Sequence, residues 1–325
     1  MRQAYTLPPA VPSDFNGTGI AAVLWQNSTS GLVTEWQTAA GGFGKSVDFG
    51  LAVNGWHPVC QGDFNGDGTS DILLQNNNTG QVLYWQMAGG QVAQMVSLGA
   101  ATAGLTAVGA GDFNGDGTTD VLFQQSKTGL MLDWMVAKGS AANSLPVTIG
   151  TGTTGNQIAP PGAVQTSNII GAAGSGWTFA GTGDFTGNGT SDILFVNTSG
   201  LVTEWIMRNG TYDHGTNVGD LVTGQSVVGI GDFNGDGTDD ILLANAAGKV
   251  TDWQMLNGAL SKAIAVGTLP TGFAVASVGD YNGDGTADIL LRNAAGAVEY
   301  WGMHAGSITK TVTLGSATSD WQVVR

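Results

Sequence analysis

Residues 63–71 read Asp63-Phe-Asn-Gly-Asp-Gly-Thr-Ser-Asp71, and an apolar run, Ile-Leu-Leu, follows directly. Close copies of this nonapeptide begin at six aspartates in the 325-residue chain: Asp14, Asp63, Asp112, Asp184, Asp232 and Asp280. Successive copies start 49, 49, 72, 48 and 48 residues apart. Self-similarity at a fixed period is the signature of a repeat architecture, in which one supersecondary unit recurs. The sequence therefore predicts six copies of one unit of about 48 residues.

The nonapeptide has the oxygen pattern of a calcium-binding loop. Side-chain oxygens at positions 1, 3, 5 and 9, with a main-chain carbonyl at position 7, can surround a hard cation that takes about six to eight oxygens. Glycines at positions 4 and 6 let the chain turn tightly. A helical EF-hand loop needs a glutamate at position 12, whereas the second copy has Leu74 there. We expect about five structural calcium sites, with these candidate ligand residues: Asp63, Asn65, Asp67, Thr69, Asp71, Asp112, Asn114, Asp116, Thr118, Asp120, Asp184, Thr186, Asn188, Thr190, Asp192, Asp232, Asn234, Asp236, Thr238, Asp240, Asp280, Asn282, Asp284, Thr286 and Asp288.

Two copies depart from the full pattern. The fourth keeps every side-chain oxygen but has Asn188 at position 5, so it carries one carboxylate fewer. We expect it to bind calcium more weakly than the complete loops. The first copy, with Asp14, Asn16 and Thr18, has Ala22 in place of the last carboxylate. We expect it to hold no metal.

Composition agrees with an acidic, metal-binding β protein. The net charge is −15, and most of the 25 acidic residues lie at loop positions 1, 5 or 9. Bound divalent cations would neutralise much of this charge, and the absence of a basic stripe argues against nucleic-acid binding. The 53 glycines and the absence of a long segment with helical periodicity predict an all-β fold. No run approaches the ~18 apolar residues of a membrane span, so no membrane insertion is expected.

One full unit predicts four short strands. In the second copy they cover residues 56–62, 71–76, 81–87 and 92–98, separated by short turns. An antiparallel meander of this size must bury both faces against neighbours, and radial repetition into a β-propeller achieves that. We predict a single six-bladed propeller domain over residues 1–325. Residues 321–325 resemble the first strand of a unit, so we expect the C-terminal strand to complete the N-terminal blade. A seven-bladed or incomplete propeller is the alternative.

The 72-residue spacing marks an insertion. We place it at residues 155–176, between the outer strand of the third blade and the inner strand of the fourth, at the end of the ring away from the calcium loops. A long loop on a rigid scaffold can serve as a binding or lid element, and a passive insertion is the alternative.

Aromatic residues recur at two places in the repeat. The third strand of each unit contains a tryptophan, which we expect to fill the space between sheets, with a ring of sugar-stacking platforms as the alternative: Trp36, Trp85, Trp134, Trp205, Trp253 and Trp301. The preceding residues point to the other face, which we expect to be solvated: Glu35, Tyr84, Asp133, Glu204, Asp252 and Tyr300. Three further tryptophans open inner strands and are candidate ligand contacts for a glycan: Trp56, Trp177 and Trp321.

Signals for catalysis are missing from the sequence. His57, His214 and His304 are scattered and match no metal-ligand spacing, and no nucleophile elbow or dinucleotide fingerprint is present. We therefore expect a protein that is not an enzyme. Cys60 is the single cysteine and lies in an apolar strand, so we expect a small core residue.

The unit from Gly111 to Phe123 resembles the FG-GAP/VCBS repeat of bacterial surface and secreted proteins. That repeat is related to the calcium-binding blades of integrin α-subunits. The Phe-Gly half of the motif is present as Phe49-Gly50 and, in softened form, as Leu98-Gly99, Ile149-Gly150, Val266-Gly267 and Leu314-Gly315. The resemblance implies a binding module: adhesion, carbohydrate recognition, or a non-catalytic scaffold beside a secreted enzyme. The partner would be a glycan or a surface protein. Calcium sites of ~0.1–1 mM affinity also suit an extracellular or cell-surface protein, with an export signal outside the present sequence.

Overall fold

The computed structural model describes residues 13–39, 42–137 and 164–324, and these contain strands and turns but no helix. None of them can therefore supply an apolar helix of bilayer-spanning length. In chain order the strands are β1 (Ala22–Asn27), β2 (Leu32–Ala39), β3 (Gly42–Leu51), β4 (Trp56–Gly62), β5 (Asp71–Asn76), β6 (Gln81–Ala88), β7 (Gln91–Ala100), β8 (Leu105–Gly111), β9 (Asp120–Gln125), β10 (Leu130–Val136), β11 (Val164–Ala172), β12 (Trp177–Gly183), β13 (Asp192–Asn197), β14 (Leu201–Arg208), β15 (Thr211–Asp220), β16 (Gln225–Gly231), β17 (Asp240–Asn245), β18 (Lys249–Leu256), β19 (Ala259–Thr268), β20 (Phe273–Gly279), β21 (Asp288–Asn293), β22 (Ala297–His304), β23 (Ser307–Ser316) and β24 (Trp321–Val323).

The strands form six antiparallel sheets of four strands, one per repeat, as the sequence predicts. Five sheets use four consecutive strands, whereas the first has the order β24-β1-β2-β3. In that sheet Trp25 pairs with Val323 and Asn27 pairs with Trp321. The C-terminal strand therefore completes the N-terminal blade, which confirms the predicted closure of a six-bladed β-propeller.

The connections alternate between the two ends of the ring. In the second to sixth blades the acidic nonapeptide joins the first strand to the second, and in the first blade it precedes the second strand, β1. The turn between the third and fourth strands lies at the same end, which we call the loop end. The turn between the second and third strands and the link to the next blade lie at the opposite end. The first strands contact one another and line the axis. We number the acidic loops by blade: residues 14–22, 63–71, 112–120, 184–192, 232–240 and 280–288.

A ring of main-chain hydrogen bonds joins consecutive acidic loops. In each pair, the N–H at position 8 of one loop donates to the carbonyl of the position 1 aspartate in the preceding blade, at 2.7 to 2.9 Å. The six bonds run from Ser70 to Asp14, Thr119 to Asp63, Ser191 to Asp112, Asp239 to Asp184, Ala287 to Asp232 and Ala21 to Asp280. The last bond closes the ring between the sixth and first blades. The loops are therefore joints between blades as well as turns within them.

Glycine precedes the first aspartate of the later loops because the next blade approaches closely there. A Cβ on Gly111 would lie 2.6 Å from the Cβ of Ser191. A Cβ on Gly231 would similarly lie 2.8 Å from that of Ala287. Real side chains do not tolerate such contacts, so the close packing of inner strands requires glycine at this position.

The third-strand tryptophans pack between blades, which confirms the space-filling interpretation. Trp134 is 1% exposed and lies in the same cluster as Tyr84 and Leu98 of the preceding blade. Several of these indoles lie against a glycine of the preceding outer strand, where a Cβ would be 3.2 to 3.9 Å from the ring: Gly50 at Trp85, Gly171 at Trp205, Gly219 at Trp253, Gly267 at Trp301 and Gly315 at Trp36. Cys60 is also buried in this core, as predicted, and burial raises the pKa of its thiol to about 12.

The opposite face of the third strand was predicted to be solvated, and this prediction is wrong. All six residues that precede the tryptophans have no exposed surface: Glu35, Tyr84, Asp133, Glu204, Asp252 and Tyr300. A blade is covered on both sides, so alternation along a strand separates two interfaces and not a core from solvent. Burial raises the pKa of Glu35 and Asp133 to about 7, of Asp252 to about 6 and of Glu204 to about 8.

The predicted position of the insertion is also wrong. Residues 164–172, which we assigned to a loop between blades, form β11, the outer strand of the third blade. In the sequence, the additional residues therefore fall between β10, which ends at Val136, and β11, which begins at Val164. Residues 155–163 of the predicted insertion, and the proposed Ile149-Gly150 pair, lie outside the described residues. In β11, Gly171 faces Trp205 as Gly50 faces Trp85, so Ile170-Gly171 is the equivalent pair in this blade.

Candidate functional site

The first aspartate of an acidic loop organises the turn. In the third loop, Asp112 Oδ1 accepts the N–H of Gly115 at 2.6 Å, and its Oδ2 accepts the N–H of Gly117 at 2.8 Å. The two glycines have φ of 78° and 84°, a region that glycine enters without a steric penalty. Asn114 Oδ1 accepts the N–H of Asp116 at 2.7 Å. The loop sequence thus specifies its own conformation through local hydrogen bonds.

The aspartate at position 9 links the loop to the end of the third strand. Asp120 has no exposed surface, and its carboxylate accepts the N–H of Phe113 at 3.2 Å and that of Val136 at 2.8 Å. The same pair of bonds is present in the second, fifth and sixth loops through Asp71, Asp240 and Asp288. In the first loop Ala22 takes this position, and no carboxylate makes the link.

The threonine at position 7 makes contacts that the sequence did not predict. Thr118 Oγ1 donates to the carbonyl of Val136 at 2.9 Å and also bonds to Asp116 Oδ1. The equivalent threonines of the second, fourth, fifth and sixth loops bond to the carbonyls of Met87, Met207, Met255 and Met303. With the hydroxyl engaged, the main-chain carbonyl is the oxygen that position 7 can offer to a cation.

The position 9 carboxyls share a high proton affinity. Burial, with neighbouring loop carboxylates adding to it, raises the pKa of Asp71 and Asp240 to about 8, of Asp120 to about 9, and of Asp192 and Asp288 to about 7. No lysine or arginine neutralises them, because the ion pairs formed among the described residues all involve Asp213. Without a cation, most of these buried carboxyls therefore hold a proton at neutral pH, and no described lysine or arginine pairs with them.

The predicted ligand residues of each loop lie together, but their acidic groups alone do not define a metal site. Within the described parts of the chain, no three His, Cys, Asp or Glu side chains form a cluster able to hold a metal ion. The expected calcium ligands also include amide and main-chain oxygens, such as Asn65 Oδ1 and the carbonyl of Thr69. The donor set is chemically suited to calcium, and metal binding stays a prediction.

The three candidate ligand-binding tryptophans open inner strands at the opposite end of the ring. Trp56, Trp177 and Trp321 are each partly exposed and also pack on clusters between blades. Trp56 borders an open groove between the first two blades, which Asn27, Ser28 and Asn54 also line. The blades that carry Trp177 and Trp321 are not both neighbours of the Trp56 blade, so the structure does not gather the three rings into one site.

The structure does not bring the three histidines together. His57, His214 and His304 lie on β4, β15 and β22, in three different blades. His214 is exposed, and its Nδ1 lies 3.0 Å from the carboxylate of Asp213.

Comparison with known proteins identifies the repeat. FG-GAP-like repeats match residues 63–123, 184–243 and 232–291, which together make up more than half of the chain. The chain belongs to the FG-GAP-like repeat family. Propellers of FG-GAP-like repeats are typically non-catalytic binding or scaffold modules, and they are typical of extracellular and surface proteins.

Other comparisons reach only distant proteins. No curated protein matches the chain. Among solved structures, BBS1N in complex with ARL6DN is 10% identical, with a TM-score of 0.44, over 95% of this chain and 81% of that chain. A functionally unknown protein from Desulfotomaculum acetoxidans is 12% identical, with a TM-score of 0.44, over 90% and 80%. A chain of the mitotic checkpoint complex is 11% identical, with a TM-score of 0.43, over 100% and 98%.

Proposed function

We propose that this FG-GAP-like propeller is an extracellular or cell-surface binding module whose blades are joined by calcium and whose ligand is a glycan. One observation carries the calcium part. Each acidic loop is hydrogen-bonded to the next loop, and the complete loops contain a fully buried carboxylate that no lysine or arginine balances. A divalent cation in the loop would displace the proton of this carboxyl and pair with the carboxylate at the joint between blades.

The residues at positions 1, 3, 5 and 9, with the carbonyl at position 7, would hold the cation in the second to sixth loops. Calcium would act there as a structural charge and not as a catalyst. At about 2 mM calcium and an affinity of ~0.1 mM, each site would add about 1.8 kcal/mol to the free energy of unfolding. The first loop, which lacks the position 9 carboxylate, would rely on its protein hydrogen bonds, such as Gly19 N–H to Asp14 Oδ2 at 2.7 Å.

Calcium binding can be tested by equilibrium dialysis and by thermal melting with and without chelator. We expect about five calcium ions per chain and a clear drop in Tm when the metal is removed. An unchanged Tm in chelator would contradict a structural role for calcium.

The opposite end of the ring supports the glycan part of the proposal. A sugar presents an apolar face that stacks on an indole and hydroxyl groups that need polar partners. The groove beside Trp56 offers both, because the polar residues Ser28 and Asn54 also line it. Trp177 and Trp321 occupy the same place in their blades, and equivalent positions elsewhere hold Leu105, Gln225 and Phe273.

A glycan array probed with the calcium-loaded protein tests this assignment. We expect selective binding that is lost in Trp56→Ala and kept in Tyr212→Ala, a control aromatic that is 42% exposed on the outer strand β15. A folded, calcium-loaded protein that binds no glycan would contradict a lectin-like function. That result would instead favour a protein ligand, as for a scaffold or adhesion module.

A further inference from the structure

Four blades carry a buried acid immediately before the third-strand tryptophan, and three of these acids have hydrogen-bond partners. Glu35 Oε1 accepts the side-chain amide of Gln37 at 2.5 Å. Asp252 Oδ2 accepts that of Gln254 at 3.2 Å. Asp133 Oδ1 accepts the main-chain N–H of Asn168 at 3.1 Å. Each blade thus satisfies its buried carboxyl in part with a nearby donor.

Glu204 in the fourth blade differs from the other three acids. Its side chain has no exposed surface, and neither carboxylate oxygen has a hydrogen-bond partner among the described residues. Two residues further on, where the first and fifth blades have glutamine, this blade has Ile206, which offers no donor. A buried carboxyl without any partner is costly, and a bound cation is one way to compensate it.

The side chain of Glu204 lies at the fourth acidic loop. Glu204 on β14 pairs with Leu194 on β13. Asp192 lies two residues before Leu194 on the same face of β13, so Glu204 and Asp192 are diagonal neighbours, with their Cα atoms about 7–8 Å apart. Glu204 and Thr186 both approach Gly258 of the next blade. A Cβ added to Gly258 would lie 2.7 Å from Glu204 Oε1 and 3.2 Å from the methyl group of Thr186. The N–H of Gly258 donates to the carbonyl of Phe185 at 3.0 Å. The turn of the next blade therefore closes over both the loop and the free carboxyl.

Among the five loops expected to bind calcium, this is the one whose own ligand set is short of a carboxylate. Position 5 is Asn188, whereas the second, third, fifth and sixth loops have aspartate there. Asn188 Oδ1 accepts the N–H of Thr190 at 2.7 Å, the same bond that the aspartates make, so the loop conformation is unchanged. Among the five blades with a candidate calcium loop, the one that lacks a carboxylate in its loop is also the one with the unpartnered acid.

We propose that Glu204 supplies the carboxylate that Asn188 lacks, as a ligand of the cation in the fourth loop from the side of Thr186. The inference rests on the proposed calcium function and replaces our expectation that this site is weak. The five sites would then have equal numbers of carboxylates. The fourth site would draw one of them from the third strand and would have Thr186 at position 3, where the other four loops have asparagine.

The experiment measures calcium stoichiometry and site affinities by equilibrium dialysis and by competition with a chelator. Wild type should bind about five ions, and Glu204→Gln should weaken one of them about tenfold or more, since calcium affinity follows the ligand charge. Glu35→Gln is the matched control, because Glu35 has the same position in the first blade and a protein partner. It should leave all sites unchanged.

Two further variants assign the effect to the fourth loop. Asn188→Asp combined with Glu204→Gln should restore the lost affinity, because it returns a third carboxylate to the fourth site. In an Asp184→Asn background, where the fourth site is already weakened at position 1, Glu204→Gln should have little further effect. If Glu204→Gln does not fold, Glu204→Tyr removes the same carboxylate and introduces the residue that the second and sixth blades carry.

The outcomes separate this inference from the proposed function. Five ions of unchanged affinity in Glu204→Gln, or in Glu204→Tyr, would overturn the assignment of Glu204 while leaving calcium binding intact. A wild-type protein that binds no calcium would overturn the proposed function itself.

Discussion

Replacing Asp120 by asparagine separates what the carboxylate does for the protein from what it does for calcium. Asp120 accepts the N–H groups of Val136 and Phe113 at 2.8 and 3.2 Å. Asparagine has one side-chain oxygen, so it can keep the shorter bond and must turn its NH₂ group toward Phe113. One buried donor then loses its acceptor, which costs about 1–2 kcal/mol.

The metal contributes a second, condition-dependent part. Burial raises the pKa of Asp120 to about 9, so without calcium at pH 7.5 the carboxyl is protonated and asparagine removes no charge. In 2 mM calcium, loss of a site of ~0.1 mM affinity lowers the free energy of unfolding by a further ~1.8 kcal/mol. Together with the lost hydrogen bond, the total is about 3–4 kcal/mol. For a chain of 325 residues, about 1.5 °C of Tm corresponds to each kcal/mol. The loss of Tm should therefore be about 3 °C larger in calcium than in chelator.

The assay is calorimetric melting of wild type and variant in 2 mM calcium and in EGTA, together with calcium counting by dialysis. Asp116→Asn is the matched control, because it gives the third loop the residue that the fourth has naturally and keeps an oxygen for the N–H of Thr118. It should melt like wild type in EGTA and lose part of the calcium effect. An equal loss of Tm for Asp120→Asn in both conditions would refute the calcium part of the reasoning. No loss in EGTA would refute the hydrogen-bond part.

Three further predictions concern the closure, a buried acid and the inner ring. Arg292 donates to the carbonyls of Trp321, Thr318 and Ala317 at 2.5, 2.8 and 3.2 Å, next to the strand that closes the ring. Arg292→Met should therefore lower the free energy of unfolding by about 2–3 kcal/mol and speed hydrogen exchange in β24. The control Lys310→Met should have neither effect. Because burial raises the pKa of Glu35 to about 7, its folded form holds a proton that the unfolded chain releases, and stability falls as the pH rises from about 4 to 7. Urea unfolding at several pH values should show that the free energy of unfolding of Glu35→Gln, relative to wild type, rises by about 2 kcal/mol between pH 5 and 8. A difference that does not change with pH would contradict this. In the same assay, Gly111→Ala should lower the free energy of unfolding by about 1–3 kcal/mol, because its Cβ clashes with the next blade. Gly174→Ala should be neutral, because its Cβ would lie 3.7 Å from Trp177, an ordinary van der Waals distance.

Much of this fold could be predicted from the sequence because its determinants are local. The hydrogen bonds that shape an acidic loop join residues two to five apart, such as Gly115 and Gly117 to Asp112, so the nonapeptide carries its own conformation. The blade count followed from the number of copies, and closure followed from a C-terminal segment that resembles a first strand. The candidate calcium ligands are defined in the same way, by spacing within one loop.

Other features depended on contacts between blades, which no single repeat encodes. The sequence separated the tryptophan face of the third strand from the face of Glu204, but only the packing of the next blade shows that both faces are buried. A recurring polar residue before each tryptophan was the signal that could have raised the question. The insertion was misplaced for a related reason, because the outer strand β11 is recognised by Gly171 lying against Trp205 of the following blade.

The sequence by itself determined the repeat unit, the all-β architecture of six blades and the residues that could bind calcium, because these depend on turns and spacings within about 48 residues. Only the tertiary structure decided which carboxyls are buried without a partner, how each loop is joined to the next, and which two strands of the third blade the additional residues connect. Burial and long-range hydrogen bonds arise when blades pack around a common axis. That Glu204 is buried without a partner is therefore seen only in the folded ring and not in the sequence of one repeat.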